Sequence, residues 1–181
     1  MRSSRTWCAA ELVLISLFAI APARAAEWSV FAPPDGRFAV EFPGGPAVER
    51  DSHWTPVGSV AMTKYWRRVG DALLAVEMHE LPPVAAALVS DDRILDQARE
   101  GVLRDTGGAL LEGHALEVRG SPARDFTYQL PGEARLSERA LAVLVGRRLY
   151  IVTGMARAPA SDPAVARFFG SFQCWGEADP R

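Results

Sequence analysis

The sequence predicts an α+β fold: an antiparallel β-sheet interrupted by one helix in the middle of the chain and closed by another at its end. Three observations carry this expectation. Short apolar runs separated by turn residues recur along most of the chain. One apolar stripe of helical period stands between Ser90 and Gly107. The stretch from Ala134 to Phe172 reads as a long strand, a turn, a second strand and a short helix, and the rest is organised around it.

Residues 1–25 have the form of an export signal. Arg2 and Arg5 make a basic start, Leu12–Ile20 an apolar core, and Ala23-Arg24-Ala25 a small-x-small cleavage pattern. Glu11 sits at the edge of that core, which is shorter than the roughly 20 residues a membrane span needs. A cleaved signal is therefore expected, with no stable membrane insertion afterwards and a periplasmic or secreted location. Cleavage after Ala25 leaves one domain, residues 26–181, long enough for its own core. It also removes three arginines and one glutamate, taking the formal net charge from −2 to −4. A mildly acidic chain without a basic tail argues against nucleic acid as a partner. Of the two cysteines, Cys8 and Cys174, only Cys174 survives cleavage, so no internal disulfide can form and the core must carry stability. Beside Trp175, Cys174 reads as a small apolar filler.

In chain order, Trp28–Ala32 and Arg37–Phe42 flank Pro33-Pro34-Asp35-Gly36 and make a hairpin. Phe38, Val40 and Phe42 share one face of its second run, and Pro43-Gly44-Gly45-Pro46 stops it. Residues 47–58 are polar and suggest no element. Ser59–Val69 and Ala72–Leu81 read as strands around Gly70-Asp71, with Leu74, Val76 and Met78 opposed to Ala75, Glu77 and His79. Pro82-Pro83 ends the second strand, and Val84–Val89 has no clear period. Ser90 is placed to cap a helix from Asp91 to about Asp105, with Ile94, Leu95, Ala98, Val102 and Leu103 as its stripe and Thr106-Gly107-Gly108 as its stop. Leu110–Val118 and Ala123–Leu130 read as strands, the latter with Phe126, Tyr128 and Leu130 on one face. In the last unit Leu141, Val143 and Val145 alternate with Ala142 and Leu144, so that strand is apolar on both faces. Gly146-Arg147-Arg148 turns into Leu149-Tyr150-Ile151-Val152-Thr153. Ser161-Asp162-Pro163 then opens a helix carrying Val165, Phe168, Phe169 and Phe172.

Two of these stretches, residues 31–43 and the closing pair Gly146–Val152 and Ala166–Phe172, resemble the start and the end of small exported bacterial domains of the Mog1/PsbP-like group. The resemblance implies an α/β/α sandwich around an antiparallel sheet. Better-known members of the group act through protein contacts, with a small GTPase or a photosystem. The matching residues are packing and turn positions, so no functional residue carries over.

Three constellations bear on chemistry. Glu77 and His79 project from one strand face and, joined by His53 or His114, would suit zinc; a polar sheet face is the plainer account of them. Arg135 and Arg139 share a strand face with Ser137, Arg147 and Arg148 lie at the turn beyond, and Arg67 and Arg68 stand on an earlier hairpin. Grouped arginines bind carboxylate or phosphate, so Arg135, Arg139, Arg147 and Arg148 are the candidate anion or partner face; pairing with Glu133 and Glu138 is the alternative. For a hydrolase, no Gly-x-Ser-x-Gly elbow is present, and Ser121, Ser137 and Ser161 lie in ordinary contexts. No catalytic or metal residues and no cofactor are expected. The reading that follows is an exported non-catalytic domain that binds a partner protein in the cell envelope. The alternatives are a small-ligand or metal-binding periplasmic protein and, after it, a hydrolase. Trp28, Trp54, Tyr65 and Trp66 serve either as interface anchors or as core.

Overall fold

The computed structural model describes residues 27–55, 58–132 and 136–176. The leader expected over residues 1–25, and Arg135 with its neighbours Glu133 and Ala134, lie outside the described residues.

The first two runs form the expected hairpin. β1 (Trp28–Phe31) and β2 (Phe38–Pro43) pair antiparallel, with Phe31 opposite Val40. Phe38, Val40 and Phe42 are buried because the strand's period of two sends all three to one side. This hairpin stays out of the main sheet. With the two-residue strand β10 (Gln173–Cys174) it makes a separate three-stranded sheet in the order β1-β2-β10.

The main sheet is built from β3 (Ala47–Thr55), β4 (Gly58–Val69), β5 (Ala72–Glu80), β6 (Ala109–Val118), β7 (Ser121–Gln129), β8 (Ser137–Val145) and β9 (Arg148–Ala156). They run β3-β4-β5-β9-β8-β7-β6, every neighbouring pair antiparallel. The Gly70 and Gly146 turns fall where the sequence places them, each glycine at positive φ (55° and 59°), a conformation that suits a residue without Cβ.

Three local readings are corrected. The polar stretch 47–58 contains β3, a full edge strand. Its alternation is masked because Val48, Glu49, Arg50, Asp51 and Ser52 are all exposed, so no burial pattern marks it in sequence. The unassigned stretch after Pro82 is α1 (Pro83–Leu88), a helix begun by proline at its first position. Ser90 occupies the N-cap of α2 (Asp91–Thr106) but makes no side-chain cap bond; only its carbonyl joins the helix, accepting from Ile94 N–H at 3.0 Å. The other end of α2 closes as expected. Gly107 is left-handed, its N–H reaching the Arg104 carbonyl, while Gly108 N–H reaches that of Leu103.

Strand β8 shows how the layers stack. Leu141 and Val143 lie in one core, Ala140, Ala142 and Leu144 in another. On the second face α2 sets Ile94 and Leu95 against Phe126, Tyr128 and Ile151. On the first face α3 (Pro163–Ser171) brings Val165, Phe168 and Phe169 onto Leu74, Leu141 and Val152, together with Phe38 and Phe42 of the small sheet. Helix and small sheet thus share the cover of that face. Asp162 caps α3, its carboxylate accepting from the N–H groups of Ala164 (2.9 Å) and Val165 (3.1 Å). The Tyr150 hydroxyl, buried in β9, donates to the Gly36 carbonyl at 2.7 Å and so fastens the β1–β2 turn to the centre of the main sheet.

Candidate functional site

Among the described residues, Arg139 does not converge with Arg147 and Arg148. Arg139 sits at the start of β8, forking onto Asp125 of β7 with Nε–Oδ1 at 3.1 Å and Nη2–Oδ2 at 2.6 Å. Its guanidinium also lies 4.4 Å from the centre of the Phe169 ring. Arg147 and Arg148 are at the far end of the β8–β9 hairpin, about 20 Å along the strand from Arg139, and both meet Glu80, at 3.5 and 3.2 Å. Arg148 also donates to the Asp35 carbonyl at 2.7 Å. Arg67 stands three strands from Arg139, by way of Leu74 and Gly154, which is about 14 Å across the sheet. The carboxylate that engages Arg139 is Asp125, and Glu138 instead accepts from the Tyr128 hydroxyl at 2.6 Å. Neither pairing could be read without the register of β7 on β8.

Glu77 and His79 do share a face, with His79 Nε2 3.5 Å from Glu77 Oε2 and Lys64 Nζ 2.8 Å from Glu77 Oε1. Burial works against the Glu77 charge, but the bonds from His79 and Lys64 outweigh it and hold the carboxyl at about 2. His114 lies on β6, four strands from β5 and about 19 Å away; the side chain of His53 is outside the described residues. No group of three or more His, Cys, Asp or Glu side chains able to hold a metal ion occurs among the described residues. Of the serines named in the sequence, two are occupied locally: Ser137 donates to Gln129 at 3.4 Å and Ser161 to the Ala158 carbonyl at 3.3 Å. Cys174 is buried in the first core, and burial pushes its thiol up to about 11, far from a reactive thiolate. Tyr65 is core, and Trp66 is half-buried, donating to Glu49 at 2.7 Å.

What the structure adds is an open edge. Among the described residues the main sheet ends in β3 on one side and β6 on the other. β3 carries Glu49, Arg50 and Asp51 in mid-strand, charges that discourage pairing with another chain. β6, Ala-Leu-Leu-Glu-Gly-His-Ala-Leu-Glu-Val, contains no lysine, arginine or proline, and eight of its ten residues are exposed. A bulge at Leu111 disturbs its first turn of pairing, and from Glu112 to Val118 the register on β7 is regular. Leu110 and Leu111 beside the bulge are 46% and 59% exposed. The direction of the free main-chain groups follows from the turn. β6 and β7 are joined by Arg119-Gly120, both at positive φ (52° and 79°), as in a two-residue type I′ hairpin. The flanking pair Val118/Ser121 is then the hydrogen-bonded one. Alternate residues Leu116, His114 and Glu112 also bond inward, which leaves Gly113, Ala115 and Glu117 with N–H and C=O turned outward. The sequence signal was the lack of charge and proline in residues 109–111 and 113–116, but it means nothing until the strand is known to be an edge.

No helix among the described residues is long and apolar enough to cross a membrane. No protein-family model matches the sequence, and no curated protein does. Among solved structures, the chain is similar to cyanobacterial PsbP (CyanoP) from Synechocystis sp. PCC 6803, at a TM-score of 0.57 and 13% identity over 88% of this chain and 99% of that one. A Pseudomonas aeruginosa protein of unknown function is matched at a TM-score of 0.39 and 15% identity, over 85% of this chain and 97% of that one. The expected resemblance therefore holds at the level of the fold: the chain is a mostly antiparallel β-sheet protein with helices, of the Mog1/PsbP-like fold.

Proposed function

We propose that this protein is an exported, non-catalytic domain of the α/β/α Mog1/PsbP type, and that it works by binding a protein partner in the cell envelope through the open edge at β6. The observation that carries the reading is the contrast between the two edges of the main sheet. β3 carries three consecutive charges, Glu49, Arg50 and Asp51, whereas β6 is regular over Glu112–Val118, carries only the two separated glutamates Glu112 and Glu117, and has no lysine, arginine or proline. An exposed edge of this kind receives a further strand through main-chain hydrogen bonds, with side-chain contacts setting the choice of partner. Among the described arginines, Arg139 stands apart from Arg147 and Arg148, and each pairs with a carboxylate, Asp125 or Glu80, which favours the edge over the anion face. The test is a photo-reactive residue placed in living cells at Glu117 on β6 or, in a separate strain, at Arg50 on β3. A protein adduct from the β6 position and none from β3 is the expected result. Equal labelling from both, or none from either, would reject the edge as the binding surface. N-terminal sequencing of the envelope form, expected to begin at Ala26, checks the export step.

A further inference from the structure

Resting on the edge reading above, we infer that the strand received by β6 is β6 of a second copy of this chain, paired antiparallel about a two-fold axis at Ala115. The outward main-chain groups belong to Gly113, Ala115 and Glu117, three alternate residues centred on Ala115. A two-fold at that residue puts Ala115 opposite Ala115 of the second copy and Gly113 opposite its Glu117, reciprocally. All three outward residues on each chain then meet an outward residue, and the closed pairs supply six main-chain hydrogen bonds.

The side chains suit the same register. Ala115 carries only a methyl group and Gly113 no side chain, which leaves room for the Glu117 side chain facing it. On the other face Glu112 meets Val118 and His114 meets Leu116, so no like charges stand directly opposite. Shifting the axis by half a residue, to lie between His114 and Ala115, would set Glu112 against Glu117 twice and turn inward-bonding residues against outward ones. The Ala115 register also uses only the regular part of the strand and stops short of the bulge at Leu111. Both main sheets would join into one of fourteen strands, twice the seven of each chain. Contact along one strand edge is small for a protein interface, so the pair is weak and its population depends on concentration.

The test uses the exported chain recovered from cells expressing the full sequence. Sedimentation over a wide concentration range should show a reversible monomer–dimer equilibrium. Ala115→Arg and Ala115→Glu, each at an exposed position, should separately weaken the dimer by at least about fivefold. An equimolar mixture of the two should restore association, because only a two-fold at this residue sets opposite charges against each other. The Glu117 photo-crosslink identifies the occupant in the cell. An adduct of two copies of this chain supports the inference. An adduct with a different protein overturns it while leaving the edge reading standing, and no adduct ends both. A wild-type chain that stays monomeric at every concentration, or a dimer indifferent to both Ala115 variants, overturns the two-fold.

Discussion

Gly154 of β9 lies where α3 crosses the sheet, and a single methyl there tests the packing of the first core. A Cβ added at this position would sit 2.7 Å from Val165 Cγ1 and 3.0 Å from a ring carbon of Phe169. Both neighbours are buried, Val165 fully, and neither has solvent to retreat into. Overpacking of this kind costs about 1–3 kcal/mol. Alanine also restricts the unfolded chain, which returns about 0.4–1 kcal/mol where the native backbone is compatible, as it is here, since Gly154 is not among the positive-φ residues. The net expectation for Gly154→Ala is a loss of about 1–2 kcal/mol, roughly 3–6 °C in Tm for a domain of this size. Val165→Ala removes the closest atom and alone should cost about 1–3 kcal/mol. The two substitutions touch the same space, so the double variant should be more stable than the sum of the singles predicts, by about 1 kcal/mol. Urea titration of the four proteins measures this cycle directly. A neutral or stabilising Gly154→Ala, or strict additivity in the double variant, would show that α3 does not bear on β9 in this way.

Three further outcomes are expected. The Glu77 carboxyl is held at about 2, below its ordinary value of 4.5, so its contribution is fully present above the unfolded value and is lost as pH falls from about 4.5 through about 2. The shift corresponds to stability on the order of 3 kcal/mol, and Glu77→Gln should flatten urea midpoints across that acid window; an unchanged pH profile would refute the pairing with Lys64 and His79. Asp162→Ala should destabilise by about 1 kcal/mol through loss of the α3 cap, while Ser90→Ala, whose side chain makes no cap bond, should cost less than about 0.5 kcal/mol in the same denaturation assay. Cys174, 3% exposed and with its thiol pushed up to about 11, should resist a chromogenic disulfide reagent at neutral pH and react at once in denaturant; prompt reaction in buffer would contradict its place in the core.

Much of the architecture could be read from local pattern. Phe38, Val40 and Phe42 alternate cleanly with the half-buried Ala39 and Glu41, and all three are buried as that pattern requires. The two-sided apolar run of β8 announces a strand covered on both faces, and the stripe from Ile94 to Leu103 announces α2, because burial imposes a period on the chain wherever it is one-sided or total. β3 escaped for the converse reason. An edge strand exposed on both faces has no period to impose, and its strand character comes from nine main-chain partners on β4 rather than from its own side chains.

The candidate site divides along the same line. Residue spacing alone placed Glu77 and His79 on one face, since two residues apart on a strand is a local relation. The sequence placed Arg147 and Arg148 at the turn beyond Arg139 but could not tell that Arg139 belongs to Asp125 or that Arg147 and Arg148 belong to Glu80. Those relations depend on register between strands, which is set by how whole faces pack. The antiparallel sheet with a middle and a closing helix is legible in the chain alone, because hydrophobic period and turn chemistry are local. That the first hairpin leaves the main sheet, that β9 lies at its centre and that β6 lies at its edge comes from the folded arrangement. Strand order is a choice among non-local pairings whose free energy is spread over every face they bury, and no single segment of the chain encodes it.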